Sequence, residues 1–258
     1  MRPLVSIIMP AYNAEKYIGE AILSVQNQTF TNWELLIVED VSTDNTVEII
    51  KTACAKDIRI SFQQLGQNSG TGVARNTALQ ISRGRYIAFL DADDLWRNDK
   101  LETQINFLQS NNFAFCFSYY DIISAEGVVT GTQVTAPESV TFSNMFSCNW
   151  IGNLTAMYDS DKVGKLTIDS ARKRQDWNLW LTILRKVDKA HAIPESLAYY
   201  RRGNPSVSSG KIALLKHNYL VYRKYHQLHS VASIASMFLF LCVHFLIKPS
   251  YIRKLPQK

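Results

Sequence analysis

Three carboxylates, Asp91, Asp93 and Asp94, fall within four positions in the stretch YIAFLDADDLW. Like charges that close together need compensation. A hard divalent cation such as Mg2+ or Mn2+ supplies it, and such an ion is commonly held by one or two protein carboxylates while phosphate oxygens complete its shell. In an extended chain alternate side chains share a side, so Asp91 and Asp93 would face one ion together. That chemistry points to a diphosphate substrate. The same residues also suit a plainer task, because Asp91 and Asp94 could cap the turn and helix begun by LWRNDKLETQINFLQ.

The elements that must position this cluster follow from periodicity. LVSIIM, residues 4 to 9, is short, β-branched and closed by Pro10 and Asn13, as in a buried parallel strand that runs into a loop. Ile18, Ala21, Ile22 and Val25 then recur at helical spacing. WELLIVED repeats the strand, and STDNTVEIIKTAC repeats the helix behind capping residues, with Val47, Ile50 and Cys54 on one face. RISFQQ, GTGVARNTALQIS and GRYIAFL give a third strand, a third helix and a fourth strand that delivers the acidic cluster. Such alternation predicts an α/β, Rossmann-like doubly wound sheet flanked by helices, with its ligand beyond the carboxyl ends of the strands.

The later chain is less regular. FAFCFSYYDII and GVVTGTQVT read as a strand and a partial hairpin, residues 137 to 172 show no single period, and HAIPESLAYYRRGNPSVSSG reads as strand and loop. DWNLWLTILRKV is a clear amphipathic helix with Trp177, Trp180, Leu181 and Leu184 on one face, so both tryptophans are expected in the core. Asp176 stands at its start, where an N-cap is a sufficient role.

Four segments in order, VSIIMPAYN, VEDVSTDNT, NSGTGVARNTAL and FLDADDLW, resemble the family 2 glycosyltransferases of bacterial polysaccharide biosynthesis over about residues 4 to 100. The resemblance implies the GT-A fold: a mixed sheet in which residues 1–112 form a nucleotide-binding half and 113–210 an acceptor half. It implies that Pro10, Ala11 and Tyr12 hold the nucleotide base and that Asp40 accepts a hydrogen bond from a uracil N–H. Glu39 and Val41 depart from the Asp and Gly frequent in that turn, and Asp44 serves either the site or the helix that follows. Arg75, within the ARN motif beside Asn76, would contact the diphosphate or orient the acidic loop. Asp91 would face ribose or metal, and Asp93 the metal of this DXD motif. RKRQDWNLWL resembles the family's segment with the general base, Gln175 replacing a Glu, which makes Asp176 the catalytic candidate. Arg201 and Arg202 match a basic segment that closes over the donor diphosphate, for which guanidinium forks are well suited.

Composition frames the setting. A chain of 258 residues, 47% hydrophobic, buries a full core. Its four cysteines show no ligand-like spacing, which suits a reducing compartment. No secretory signal is expected at MRPLVSIIMPAYN. All 22 acidic residues lie at or before Glu195, whereas ten of the 28 Lys and Arg follow it. Residues 211–258 therefore read as a basic, Tyr-rich helix followed by the apolar run VASIASMFLFLCVHFLI, a C-terminal helical membrane-associating extension. This run could span, lie in the interface or pack on the domain. Seventeen apolar residues suit a bilayer better than a nucleic-acid groove.

The expected activity is an inverting, Mn2+- or Mg2+-dependent transfer of a sugar from a nucleoside-diphosphate sugar, a UDP-sugar first, to a glycan or lipid-linked saccharide. The expected place is the cytoplasmic face of the inner membrane, peripheral or anchored. The rivals are a catalytically silent nucleotide- or glycan-binding protein on the same scaffold and a DxD phosphohydrolase, whose motif would follow the first strand rather than the fourth. A nucleotidyltransferase would favour a Gly- and Lys-rich phosphate loop, which MPAYNAEKY lacks.

Overall fold

A computed structural model describes residues 3–168, 174–203 and 211–255. In chain order the elements are β1 (Val5–Ala11), α1 (Ile18–Gln26), β2 (Trp33–Glu39), α2 (Thr46–Lys56), β3 (Ile60–Gln64), α3 (Thr71–Ile81), β4 (Tyr86–Phe89), β5 (Leu95–Trp96) and α4 (Lys100–Ser110). They continue as β6 (Phe115–Ile123), β7 (Val129–Val134), β8 (Ser139–Val140), α5 (Phe142–Ser147), β9 (Met157–Asp159), α6 (Ser160–Val163), α7 (Gln175–Ile183), β10 (Ala190–Arg201), α8 (Lys211–Leu220), α9 (Ser230–Cys242) and β11 (Ile252–Lys254).

β3, β2, β1 and β4 run parallel in that order, so β1 is the strand from which the connections leave in both directions. A crevice opens at the carboxyl ends of strands at such a switch point. Beyond β4 the sheet turns mixed: β9 is antiparallel to β4 and β6, β7 is antiparallel to β6, and β10 runs parallel to β6. Strand alternation sorts the side chains into two cores. Ile7 and Met9 join the core under α1, α2 and α4, while Ile8 joins the one beneath α3, α5 and α7. The helix faces predicted from spacing are the buried ones: Ile18, Ala21, Ile22 and Val25 in α1, and Trp177 and Trp180, both 0% exposed, in α7.

The tail belongs to this body. Tyr222 is fully buried and donates its hydroxyl to the Phe146 carbonyl at 2.8 Å, and the Phe240 ring packs 5.6 Å from Trp177. From Ser230 to Tyr251 the chain stays helical for 22 residues, long and apolar enough to cross a membrane by length and composition. Both of its ends are nevertheless tied to the domain. His226 packs on Phe146 just before it, and β11 just after it pairs antiparallel with β7, Ile252 opposite Val134. The helix therefore lies along the domain. One side, with Ser233, Phe240 and Val243, is buried; Val231, Ile234, Phe238, Phe245 and Leu246 on the other side are exposed.

Candidate donor and transfer site

The carboxyl ends of β1, β2 and β4 bring the first three motifs together. Ala11 lies opposite Glu39, the Asp40 N–H donates to the Ala11 carbonyl at 2.9 Å, and Leu90 donates to Ile8 at 3.1 Å, so Asp91 emerges beside the end of β1. The loops after β1 and β2 are fastened to each other: Asn13 Oδ1 accepts from the Thr43 N–H at 2.8 Å, Ser42 Oγ from the Asn13 N–H at 2.9 Å, and Thr46 Oγ1 from the Ala14 N–H at 2.8 Å. Asp44 joins this work, accepting from the Glu15 and Thr46 amides, which is the helix-start role. Pro10 and Ala11 are buried and present backbone, whereas the Tyr12 ring is 51% exposed at the rim.

Two residues that depart from the usual turn prove linked. Val41 adopts φ 62°, a left-handed conformation that a β-branched residue takes at a cost and glycine takes freely. Glu39, 0% exposed, accepts from the amides of Val41 at 3.2 Å and Ser42 at 2.5 Å, so its longer side chain braces the turn that Val41 strains. Asp40 is 4% exposed, and its two oxygens accept from the Ser69 and Gly70 amides at 2.7 and 2.8 Å, closing the loop that opens α3.

Each of the three acidic residues has its own environment. Asp91 accepts from Arg75 Nη2 at 2.5 Å and from Asn153 Nδ2 at 3.1 Å, and its side chain remains 31% exposed. Asp94 is 1% exposed and accepts the Arg201 N–H at 2.9 Å; burial, then the Asp93 and Asp91 charges, push its carboxyl well above the usual range. It is structural. Asp93 is partly exposed between them. Tyr200 stands nearby, its phenol pushed up to about 12 by burial and by the Asp94, Asp93 and Asp91 charges, and so stays a neutral donor. Among the described residues no group of three or more His, Cys, Asp or Glu is arranged to hold a metal. Asp91 and Asp93 alone fit an ion that takes most of its ligands from a diphosphate and water, as Mg2+ does.

Asp176 lies in the first turn of α7, behind Arg174 at φ 65°. Its carboxylate Oδ2 accepts from Asn149 Nδ2 at 2.8 Å. The preceding residue joins it to the acidic loop, because Gln175 Oε1 accepts from Arg75 Nη1 at 3.4 Å while Nη2 of the same guanidinium holds Asp91. Gly72 in α3 admits this contact: a Cβ there would meet Gln175 Nε2 at 2.6 Å. One short loop also reaches both carboxylates, Asn149 to Asp176 and Asn153 to Asp91. These asparagines escape the sequence reading because their segment has no periodicity. The available chemistry is a partly exposed carboxylate able to take a proton, joined through Gln175 and Arg75 to the acidic loop that carries Asp91 and Asp93.

Arg201 requires a correction. Its side chain is 0% exposed, and it donates to the Asp93 carbonyl at 2.8 Å, the Ala125 carbonyl at 2.9 Å and Glu20 at 2.6 Å, with its guanidinium 4.7 Å over the Tyr17 ring. It clamps the acidic loop to β10 and α1 and offers no face to a diphosphate. Arg202 beside it is exposed, and residues 204–208 of the same basic segment lie outside the described residues. Arg75 is buried, and its guanidinium donates to Asp91 in the acidic loop.

The family model for glycosyl transferase family 2 matches residues 6–155. A Bacillus subtilis protein named as a teichuronic acid biosynthesis glycosyltransferase, TuaG, is 42% identical over 88% of this chain and 90% of its own. An Escherichia coli UDP-Glc:alpha-D-GlcNAc-diphosphoundecaprenol beta-1,3-glucosyltransferase, WfgD, is 40% identical over 83% of each chain. Among solved structures, Staphylococcus aureus TarS residues 1–349 in complex with UDP-GlcNAc superposes with TM-score 0.73 at 21% identity, covering 95% of this chain and 74% of that one. The mannosyltransferase PcManGT of Pyrobaculum calidifontis, in complex with GDP-Man and Mn2+, superposes with TM-score 0.67 at 17% identity, covering 97% and 72%.

Proposed function

The chain belongs to glycosyl transferase family 2, and on that premise we propose that it is an inverting, divalent-metal-dependent transferase moving a sugar from a UDP-sugar to a lipid-linked saccharide. The observation that supports this reading is the link between the start of α7 and the acidic loop: the Arg75 guanidinium donates both to Gln175, the residue before Asp176, and to Asp91. The donor and acceptor classes are supported by two relatives, 40% and 38% identical, whose names specify UDP-Glc and a diphosphoundecaprenol-linked GlcNAc.

The base of the nucleotide rests against Pro10, Ala11 and the exposed Tyr12 ring. Asp40 accepts the uracil N–H, since a carboxylate has about four lone-pair positions and two amides occupy only part of them. Asp93, with Asp91, would hold Mn2+ or Mg2+, whose charge would offset that of the departing diphosphate. Arg75 and Asn153 fix Asp91 from two sides. Asp176 takes the proton from the acceptor hydroxyl as its oxygen attacks the anomeric carbon and the bond to the diphosphate breaks; attack from the opposite face inverts configuration.

Attachment to the cytoplasmic face of the membrane completes the reading. The outward side of α9 is apolar, exposed Lys216, Arg223 and Lys224 lie before it, Arg253 and Lys254 lie after it, and no acidic residue follows Glu195. Such a helix lies in the interface, each basic residue near anionic headgroups adding about 1 kcal/mol.

The test is transfer from UDP-sugars to a diphosphate-linked GlcNAc acceptor with Mn2+, followed by NMR assignment of the new linkage. Asp176→Asn is expected to bind UDP normally and to lose transfer by about 10²- to 10⁴-fold; Asp93→Ala should abolish metal-stimulated turnover. Normal transfer by Asp176→Asn, or full activity of the wild type in EDTA, would overturn the corresponding assignment.

A further inference from the structure

Lys248 lies beyond the exposed residues Phe245 and Leu246, yet its ammonium turns inward. Nζ donates to the Asn149 carbonyl at 2.6 Å, and Asn149 in turn donates its side-chain amide to Asp176 at 2.8 Å. Lys248 is half-buried, and among the described residues it has no carboxylate within ion-pairing distance, so its ammonium gives up part of its hydration for one hydrogen bond. An apolar side chain of that length would fill the place at lower cost. What the lysine adds is a hold on Asn149.

The surroundings make that hold firm. The Tyr251 carbonyl accepts from both the N–H and the hydroxyl of Thr135, at 2.8 and 3.0 Å, which pins the end of the helix to the sheet edge. The Tyr251 ring meets Trp150, the neighbour of Asn149, edge to face at 5.1 Å. Asn149 Oδ1 accepts from the Ile151 amide at 3.2 Å, which fixes the side-chain amide with Nδ2 directed at Asp176.

We propose that Lys248 is a positioning residue for sugar transfer: held by the tail helix, it fixes Asn149, and Asn149 fixes the carboxylate of Asp176. The tail thus contributes to the transfer step itself. This rests on the reading of Asp176 as the base, and a carboxylate displaced by an ångström from the accepting hydroxyl loses about 10²-fold in rate.

The experiment compares full-length wild type, Lys248→Met, Lys248→Arg and Asp176→Asn for kcat, donor KM and UDP affinity. Lys248→Met is expected to lower kcat about 10- to 100-fold at unchanged donor KM and UDP affinity, and Lys248→Arg, which can still donate to the carbonyl, to restore it to within about threefold. If Lys248→Met does not fold, Asn149→Ala, which leaves the helix packing intact, carries the same expectation. Wild-type kcat in these variants while Asp176→Asn is inactive would overturn the positioning role; an active Asp176→Asn would instead overturn the base assignment beneath it.

Discussion

Lys100 lies in the first turn of α4, fully enclosed, with its ammonium 4.0 Å from the Trp96 ring centre and hydrogen-bonded to Gln104. Burial lowers its pKa to about 7. A folded value below the unfolded one, about 10.4, means that between these limits the unfolded chain binds a proton the folded chain has released. Stability should then rise with pH across that window, by at most about 1.4 kcal/mol per unit from this group. Lys100→Met is expected to be more stable than wild type at pH 7 and to lose this part of the rise; urea melts from pH 6.5 to 9.5 would refute it by showing equal slopes. At this scale Asp94 could be set apart from sequence as the carboxylate suited to a turn or cap, and its enclosure in the turn after β4 agrees with that reading. Arg201 could not be placed in this way, since a guanidinium suits main-chain carbonyls as well as phosphate and only the fold decides which lie within reach.

Among the elements, the helical stretch Ser230–Tyr251 that begins with α9 has the clearest imbalance: Phe238, Phe245 and Leu246 are 70%, 66% and 77% exposed on a helix otherwise held to the domain. If this face docks on a bilayer, replacing all three by Ser should lower partition onto anionic vesicles at least ~10-fold, since burying such side chains is worth ~1.5–3 kcal/mol each. Circular dichroism should remain unchanged; unaltered vesicle binding would rule out this face. β1, β2 and β4 were readable because they are buried along their whole length, and α1 because Ile18, Ala21, Ile22 and Val25 repeat at helical spacing. The segment 137 to 172 was not. Its pieces β8, α5, β9 and α6 have only two to six residues, too short for a period to emerge, and the loop that holds Asp91 and Asp176 between them carries no pattern.

Taken whole, the protein does not divide cleanly into a catalytic body and a removable tail. Val221, Tyr222, Phe240 and Val243 are buried in the core beneath the sheet, and β11 extends that sheet beyond β7. Removing residues 211–258 forfeits four such burials, ~1.5–3 kcal/mol each, a sum comparable with the net stability of a domain, about 5–15 kcal/mol. Truncation after residue 210 is therefore expected to give aggregated protein or a Tm lower by more than about 10 °C, rather than a soluble enzyme merely released from membranes. The charge asymmetry and apolar run pointed to a tail from sequence alone; its return to the sheet through three residues, Ile252–Lys254, was too brief to read.

The inward lysine also sets a height. Phe245 and Leu246 precede Lys248 by less than one helical turn, and from its ammonium two hydrogen bonds lead through Asn149 to Asp176. If that face rests at the bilayer surface, the base stands roughly 10–15 Å above it, a turn of helix and a few side chains. The enzyme then acts as a ruler as well as a catalyst. On the proposed reading it would then take the hydroxyl of a sugar close to its lipid diphosphate, and a glycan already several units long would carry its free end past the reach of Asp176.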